Sequence, residues 1–377
     1  MKGKQGLVCM GLLLVLSSCH TGKQITASGL QRKDFQTEVN GQHTDLFTLS
    51  NKQGMEVCIT NYGARVVSIL VPDRNGKRED VVCGFSTITE YMEQRQNFGS
   101  TVGRYIGRIL NARFTLDGVE YKLVPNNGKS GHISHGGNPG FADRIWKVEQ
   151  ADTHRVRLSY LSPDGENGFP GNLKVTLVYS LGEDDNALDL TYEATTDAPT
   201  VLNLSHHSFF NISGNFTKSV EDQQLWVDAD RFTPYDDKKC VTGEYLPVAG
   251  TPLDFRMPHT IGECIDADHP QLKVVNGYDH TWELNTKGDD TRPAAWVYDP
   301  VSGRKMEIFT TEPGMQIYTG NGLKGKMTGK GGIAYPFRSA VCFETMHFQD
   351  SPNQPGFPST VLRPGEVFRS HTVYKFE

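Results

Sequence analysis

Leu173-Lys174-Val175-Thr176-Leu177-Val178-Tyr179-Ser180-Leu181 carries a large apolar residue at every odd position, with Lys174, Thr176 and Ser180 between them. A second run, Leu188-Asp189-Leu190-Thr191-Tyr192-Glu193-Ala194, repeats the alternation. Successive side chains of a strand point to opposite faces. A period of two therefore buries one face and wets the other, as in antiparallel sheets.

Strand signals extend outward from this pair. Leu46 to Ser50 and Met55 to Thr60 read as strands joined by Asn51-Lys52-Gln53-Gly54. Val66 to Val71 is another, ended by the turn chemistry of Pro72-Asp73-Arg74-Asn75-Gly76. Phe114 to Leu123 is a hairpin, because Asp117-Gly118 suits a two-residue turn. A further hairpin spans Ala295 to Thr310, and Gln316 to Thr319, Ala340 to Thr345 and Phe368 to Phe376 are strands. Thr87 to Gln94 has room for one or two helical turns. No segment sustains 3.6-residue periodicity over three turns, and no internal repeat or linker interrupts residues 40–377. Many short strands without helices between them predict packed antiparallel sheets rather than βαβ units. The expected architecture is all-β, one large antiparallel β-sandwich domain over residues 39–377.

Hydrophobic residues make up 37% of the 377, enough for a large core. The net charge is −6 and the Lys and Arg residues are spread along the chain. That excludes the clustered basic stripe of a nucleic-acid surface. The N-terminus reads as an export signal: Lys2 and Lys4 precede an apolar run, Leu7 to Leu16, too short to span a membrane. Leu16-Ser17-Ser18-Cys19 resembles the bacterial lipobox, in which the cysteine becomes lipidated. A signal peptide over residues 1–18, lipidation at Cys19 and a flexible polar tether over residues 19–38 are therefore expected. The implied address is the bacterial cell envelope, lipid-anchored and facing the periplasm. Beyond Cys9 and Cys19 the chain has five cysteines, an odd number without C-x-x-C spacing. Buried thiols are expected, since a chain this long needs no disulfide staples.

Five polar segments could carry chemistry. In Asn203-Leu204-Ser205-His206-His207-Ser208-Phe209-Phe210-Asn211, imidazoles that titrate near neutral pH sit beside flat apolar rings. Gly103-Arg104-Tyr105-Ile106-Gly107-Arg108 offers two guanidinium forks, which suit vicinal hydroxyls or a carboxylate. His132-Ile133-Ser134-His135-Gly136-Gly137 is a glycine-rich loop; its two histidines could be half a zinc site completed by His206 and His207, but the spacing fits no helical zinc motif. In Gly277-Tyr278-Asp279-His280-Thr281-Trp282 a carboxylate beside aromatic rings suits a sugar: the acid accepts hydroxyl protons and a ring stacks on C–H faces. Glu344 follows the apolar Ala340 to Phe343, so desolvation should disfavour its charge and poise it as a base. A structural alternative pairs Glu344 with Arg338.

In their order, with Pro313-Gly314-Met315-Gln316-Ile317-Tyr318-Thr319-Gly320-Asn321 before the last, these segments resemble the aldose 1-epimerase family, the mutarotases, from about Leu46 to Phe376. The resemblance implies the family's β-supersandwich and its interconversion of the α and β anomers of free aldoses. It implies His207 as catalytic acid and Glu344 as catalytic base. It implies Arg108, His135, Asp279 and Gln316 as sugar-binding residues. No cofactor and no metal is required. The acid must be protonated while the base is ionised, and mutual attraction is expected to favour both charges. Two departures stand out: Gly107 where the family often has Asn, from which the loss of a side-chain contact to a hydroxyl is expected, and His206 where it often has Asn. The expected partners are a monosaccharide aldose and, through the lipid, a membrane, for a monomer or weak dimer. The competing readings are a glycoside hydrolase with Glu344 and Asp279 as paired carboxylates, and a non-catalytic carbohydrate-binding lipoprotein.

Overall fold

The alternation over Leu173–Leu181 is realised in full. In the computed structural model, which describes residues 24–377, all five odd positions are buried, Lys174 is exposed and Thr176, Val178 and Ser180 are half-buried. The strand pairs antiparallel with Arg155–Ser162 on one side and Ala187–Thr196 on the other. Its register sets Leu177 opposite Tyr192 and Tyr179 opposite Leu190, so the apolar sets of both strands share one face.

These strands belong to a nine-stranded sheet. Its order is Lys147–Ala151, Arg155–Ser162, Leu173–Leu181, Ala187–Thr196, Phe368–Phe376, Lys305–Thr310, Ala295–Tyr298, Gln224–Val227 and His259–Thr260. The last strand of the chain thus lies at the centre of the sheet. A six-stranded sheet runs Phe209–Phe210, Val341–Met346, Gly314–Tyr318, Asp279–Glu283, Arg231–Thr233 and Leu246–Pro247. The two share one apolar core, in which Leu177, Leu190 and Tyr374 join Phe210, Val341 and Phe343. Polar contacts lock them across it: the Tyr374 hydroxyl donates to the Phe343 carbonyl at 3.0 Å, and the Thr345 and Thr372 hydroxyls lie 2.7 Å apart.

Every residue of Val341–Met346 is buried. Val341 and Phe343 face the shared core, and Cys342, Glu344 and Met346 take the opposite face. Burial on both faces explains why this strand reads as an apolar run without alternation. The expected hairpin is present as Arg113–Leu116 against Val119–Lys122, with Asp117 and Gly118 both at positive φ, as a tight primed turn requires. The expected helical turns form Ile88–Gln94. Thr87 accepts from the Glu90 N–H, and the Glu90 carboxylate accepts from the Thr87 N–H, a reciprocal cap. A second helix, Pro270–Val275, was not expected; six residues are too few to show a period.

Residues 24–38 correct the expected tether. Leu30 and Phe35 are buried against Leu46, Cys58 and Val67, and Arg32 pairs with Asp45 at 2.5 Å. Two apolar side chains in a polar segment suffice to seat it on the sandwich. Cys19 and the expected signal peptide lie outside the described residues. Among the described residues no helix is long and apolar enough to cross a membrane, and all five cysteines are free, with Cys58, Cys83 and Cys342 buried.

Candidate active site

On the face of the six-stranded sheet turned away from the core, register gathers polar groups. Glu344 stands opposite Gln316, Gln316 opposite Thr281, and Asp279 opposite Tyr318. Period two puts Asp279 and Thr281 on this face and His280 and Trp282 on the other. Gln316 is held by both neighbours. Its Nε2 donates to Asp279 Oδ1 at 2.6 Å, and its Oε1 accepts from the Thr281 hydroxyl at 2.5 Å.

His207 comes from Ser205–His207, which pairs with Ser100–Val102. Asn203 ties this segment to the end of the Glu344 strand: its amide donates to the His347 carbonyl and its oxygen accepts from the His347 N–H, both at 3.0 Å. Arg108 lies opposite Ser134 in a short antiparallel pair, and the His135 N–H donates to the Gly107 carbonyl at 2.9 Å. Gly136, at φ +78°, lets the loop turn here; a Cβ on it would lie 2.0 Å from the Gly103 carbonyl oxygen.

Arg108, His135, His207, Asp279, Gln316 and Glu344 all line one cleft. It encloses about 240 Å³, just below the roughly 300–1,000 Å³ usual for small-ligand pockets, which suits a single ring. His207 Nε2 lies 3.3 Å from Glu344 Oε1, and both side chains are buried. Burial drives the Glu344 carboxyl well above its ordinary range; the Asp279 carboxylate adds to this and Arg108 opposes it. Burial drives His207 well below its ordinary range, with His135 adding to the effect. Each shift disfavours charge, so desolvation outweighs the expected mutual attraction. The favoured pair is net neutral and holds one proton. Imidazolium with carboxylate and imidazole with carboxylic acid differ only by moving that proton between the partners. His135 is lowered to about 4 by burial and by Arg108, so near neutral pH it is an uncharged hydrogen-bonding group. Its Nδ1 is buried without a hydrogen-bond partner among the described residues.

Several expectations divide on inspection. Arg104, unlike Arg108, is a structural clamp that donates to Ser162 and to the Pro170 and Gly171 carbonyls. His206 turns into the core, where its ring packs against Tyr179 and Tyr374. Phe209 lines the cleft and stacks on His207 at 5.1 Å between centroids, while Phe210 packs against Phe343. Trp282 and Tyr278 are buried and donate to the Leu253 and Pro252 carbonyls, so neither stacks in the cleft. Arg338 pairs with Glu221 and Asp266 rather than with Glu344.

The four histidines considered for zinc do not converge: His132 accepts from the Asn111 N–H and contacts Cys240, and His206 is in the core. His207, Cys342 and Glu344 do bring one donor atom each within 4.8 Å of one another. Burial holds the Cys342 thiol well above its usual range, which disfavours the thiolate that binds metal.

Two contributors carried no expectation. Tyr235, its hydroxyl 2.7 Å from Gln349 Nε2, lies in an irregular stretch. Gln349 follows the Glu344 strand and lines the cleft. Only its nearness to Glu344 in sequence could have drawn attention to it.

The arrangement can move a proton onto one oxygen of a bound polyol and off another. Comparison with known proteins agrees with that chemistry. Residues 45–375 match the aldose 1-epimerase family model. The chain is 39% identical to galactose mutarotase of Sus scrofa over 330 residues, 88% of this chain and 93% of that one. It is 36% identical to aldose 1-epimerase of Escherichia coli (strain K12) over 339 residues, 89% and 96% of the two chains. The crystal structure of an aldose epimerase homologue from C. elegans superposes with a TM-score of 0.81 at 31% identity, covering 89% of this chain and 99% of that one. Galactose 1-epimerase from Lactobacillus acidophilus NCFM superposes at 0.78 with 28% identity, covering 90% and 96%.

Proposed function

This chain belongs to the aldose 1-epimerase family, and we propose that it interconverts the α and β anomers of a free aldose with Glu344 as base and His207 as acid. The observation that carries the role assignment is the buried His207–Glu344 pair at 3.3 Å, ringed by Arg108, His135, Asp279 and Gln316. The reactive form is imidazolium with carboxylate. Glu344 takes the proton from the C1 hydroxyl, His207 gives one to the ring oxygen, and the C1–O5 bond breaks. The product is an open-chain aldehyde. Rotation about C1–C2 turns the other carbonyl face toward the O5 hydroxyl. Closure then returns the proton from O5 to His207 and the proton from Glu344 to O1, so the site ends as it began. Arg108, Asp279, Gln316 and His135 hold the remaining hydroxyls while the ring is open. Between them these residues supply both donors and acceptors, as hydroxyls that both donate and accept require.

Polarimetry on freshly dissolved anomers tests the assignment. Positioned acid–base groups are worth about 10²–10⁴-fold in rate, so Glu344→Gln should lose activity on that scale while its melting temperature holds. A folded Glu344→Gln enzyme with wild-type rates would sink the assignment. The rates on galactose, glucose, xylose, arabinose and reducing oligosaccharides define the preferred aldose.

We read residues 1–18 as an export signal and Cys19 as the lipid attachment site of an envelope protein facing the periplasm. The motif around Cys19 supports this. Labelled palmitate incorporated by the wild type and lost in Cys19→Ala is the expected result; incorporation by neither would refute it.

A further inference from the structure

We propose that Gln349 is a specificity-determining residue of this enzyme, its carboxamide seated over Gly107 to read a sugar hydroxyl from space that a side chain at position 107 would fill. The inference rests on the aldose 1-epimerase reading above and extends it to the choice among aldoses.

Gly107 adopts φ +75°, and a Cβ built on it would lie 2.5 Å from Gln349 Cγ and 3.0 Å from Gln349 Cδ. Carbon atoms do not approach that closely, so any side chain at position 107 and the present Gln349 side chain compete for one volume. The departure at Gly107 therefore does not leave a gap. An amide from a different segment, the loop after the Glu344 strand, occupies it.

The geometry of that amide is determined by its partners. Gln349 is 4% exposed, yet it lines the cleft. The Arg108 backbone N–H can only donate, and its nitrogen lies 3.3 Å from Gln349 Oε1, which fixes the oxygen toward the Arg108 main chain. Nε2 then donates to the Tyr235 hydroxyl at 2.7 Å and to Gln316 Oε1 at 3.3 Å. Both amide hydrogens are engaged, and the oxygen keeps a second lone pair. A sugar hydroxyl can donate to it. The carboxamide bridges the Arg108 main-chain N–H and Gln316, with its oxygen on the Arg108 side, and its hydrogen bonds go to neither His207 nor Glu344, so it senses the configuration of a ring carbon away from the anomeric centre. Its bonds to Gln316 and Tyr235 also fix its position before a sugar arrives, and a preorganised acceptor discriminates between epimers better than a mobile one.

The test uses the full-length enzyme and measures kcat and KM for anomerisation of galactose, glucose, xylose and arabinose. Three variants are compared with wild type: Gln349→Met, which keeps the volume and removes the acceptor, Gln349→Ala, and Gly107→Asn combined with Gln349→Ala. Loss of one hydrogen bond is worth about tenfold. Both single variants should raise KM by that factor for the sugars that present the recognised hydroxyl and leave the others near wild type, narrowing the spread among epimers. The double variant should regain part of the spread, because Asn tolerates positive φ and its amide enters the vacated space. Should Gln349→Ala fail to fold, Gln349→Met decides. A folded Gln349→Met enzyme with the wild-type ratios of kcat/KM among the four sugars overturns the proposal. A wild type that anomerises neither these four nor a reducing oligosaccharide overturns the enzyme reading instead, so the two failures are distinct.

Discussion

His206 and His207 are neighbours in sequence and face opposite sides of one short strand. His206 Nε2 lies 2.7 Å from the Ser208 hydroxyl inside the core, and His207 stacks on Phe209 in the cleft. The two should fail in different ways. His206→Ala leaves a cavity and an unpaired buried hydroxyl, and should cost about 2–4 kcal/mol of stability with kcat near wild type. His207→Ala should lose about 10²–10⁴-fold in kcat with a melting temperature close to wild type. Thermal melts beside polarimetry separate them, and a His206→Ala enzyme that is stable but inactive would contradict this division.

The charge around Glu344 sets the alkaline limit of activity. The working pair holds one proton and fails when that proton is lost. Asp279 raises the Glu344 pKa and Arg108 lowers it. Asp279→Asn should therefore move the alkaline limb of the kcat profile to lower pH, and Arg108→Met should move it to higher pH. Saturating sugar removes the binding defect of either variant from the measurement. Shifts in the same direction would show that the limb belongs to another group.

Much of this was legible from residues 173–194, because a half-buried strand prints its exposure on the sequence every second residue. Of the site, Glu344 was legible as an acid set in an apolar run, and the rest through the order of the motifs that resemble the family; the register that brings them to one face was not. What escaped notice depends on contacts between distant segments. Gln349 over Gly107 and Tyr235 beside Gln316 leave no local pattern. Trp282 and Tyr278 misled because both stand at odd offsets from Asp279, and alternation turns such neighbours into the core instead of the cleft.

Arg104 predicts a purely structural phenotype. It is 2% exposed and donates to the backbone carbonyls of Ser162 and Pro163 as well as to those of Pro170 and Gly171. Arg104→Met strands several of these acceptors and should cost at least about 3 kcal/mol, since each unsatisfied buried group costs about 1–3 kcal/mol. Arg108→Met should leave the urea midpoint nearly unchanged and raise KM. Equal midpoints for the two variants would refute the distinction.

His371 links stability to pH on the far sheet. Its Nε2 lies 3.2 Å from Asp189 and its Nδ1 2.7 Å from Asp290, and the Asp189 hydrogen bond is the main cause that raises its pKa above the usual value. A group with a raised folded pKa stabilises below its unfolded value and loses that contribution as pH rises through the folded one. The gap in urea midpoint between wild type and His371→Asn should be widest between about pH 4.5 and 6.5 and should narrow in alkali. A gap that widens with pH would exclude a charged His371.

The burial of Leu30 and Phe35 has a consequence for how the enzyme would meet a bilayer. With the chain pinned from Gln24 onward, only the peptide from Cys19 to Gln24 separates a lipid on Cys19 from the body of the protein. At no more than about 3.6 Å per residue, that leash reaches about 18 Å. A lipidated form would therefore hold Gln24, where the described contacts of the sandwich begin, within that distance of the headgroups.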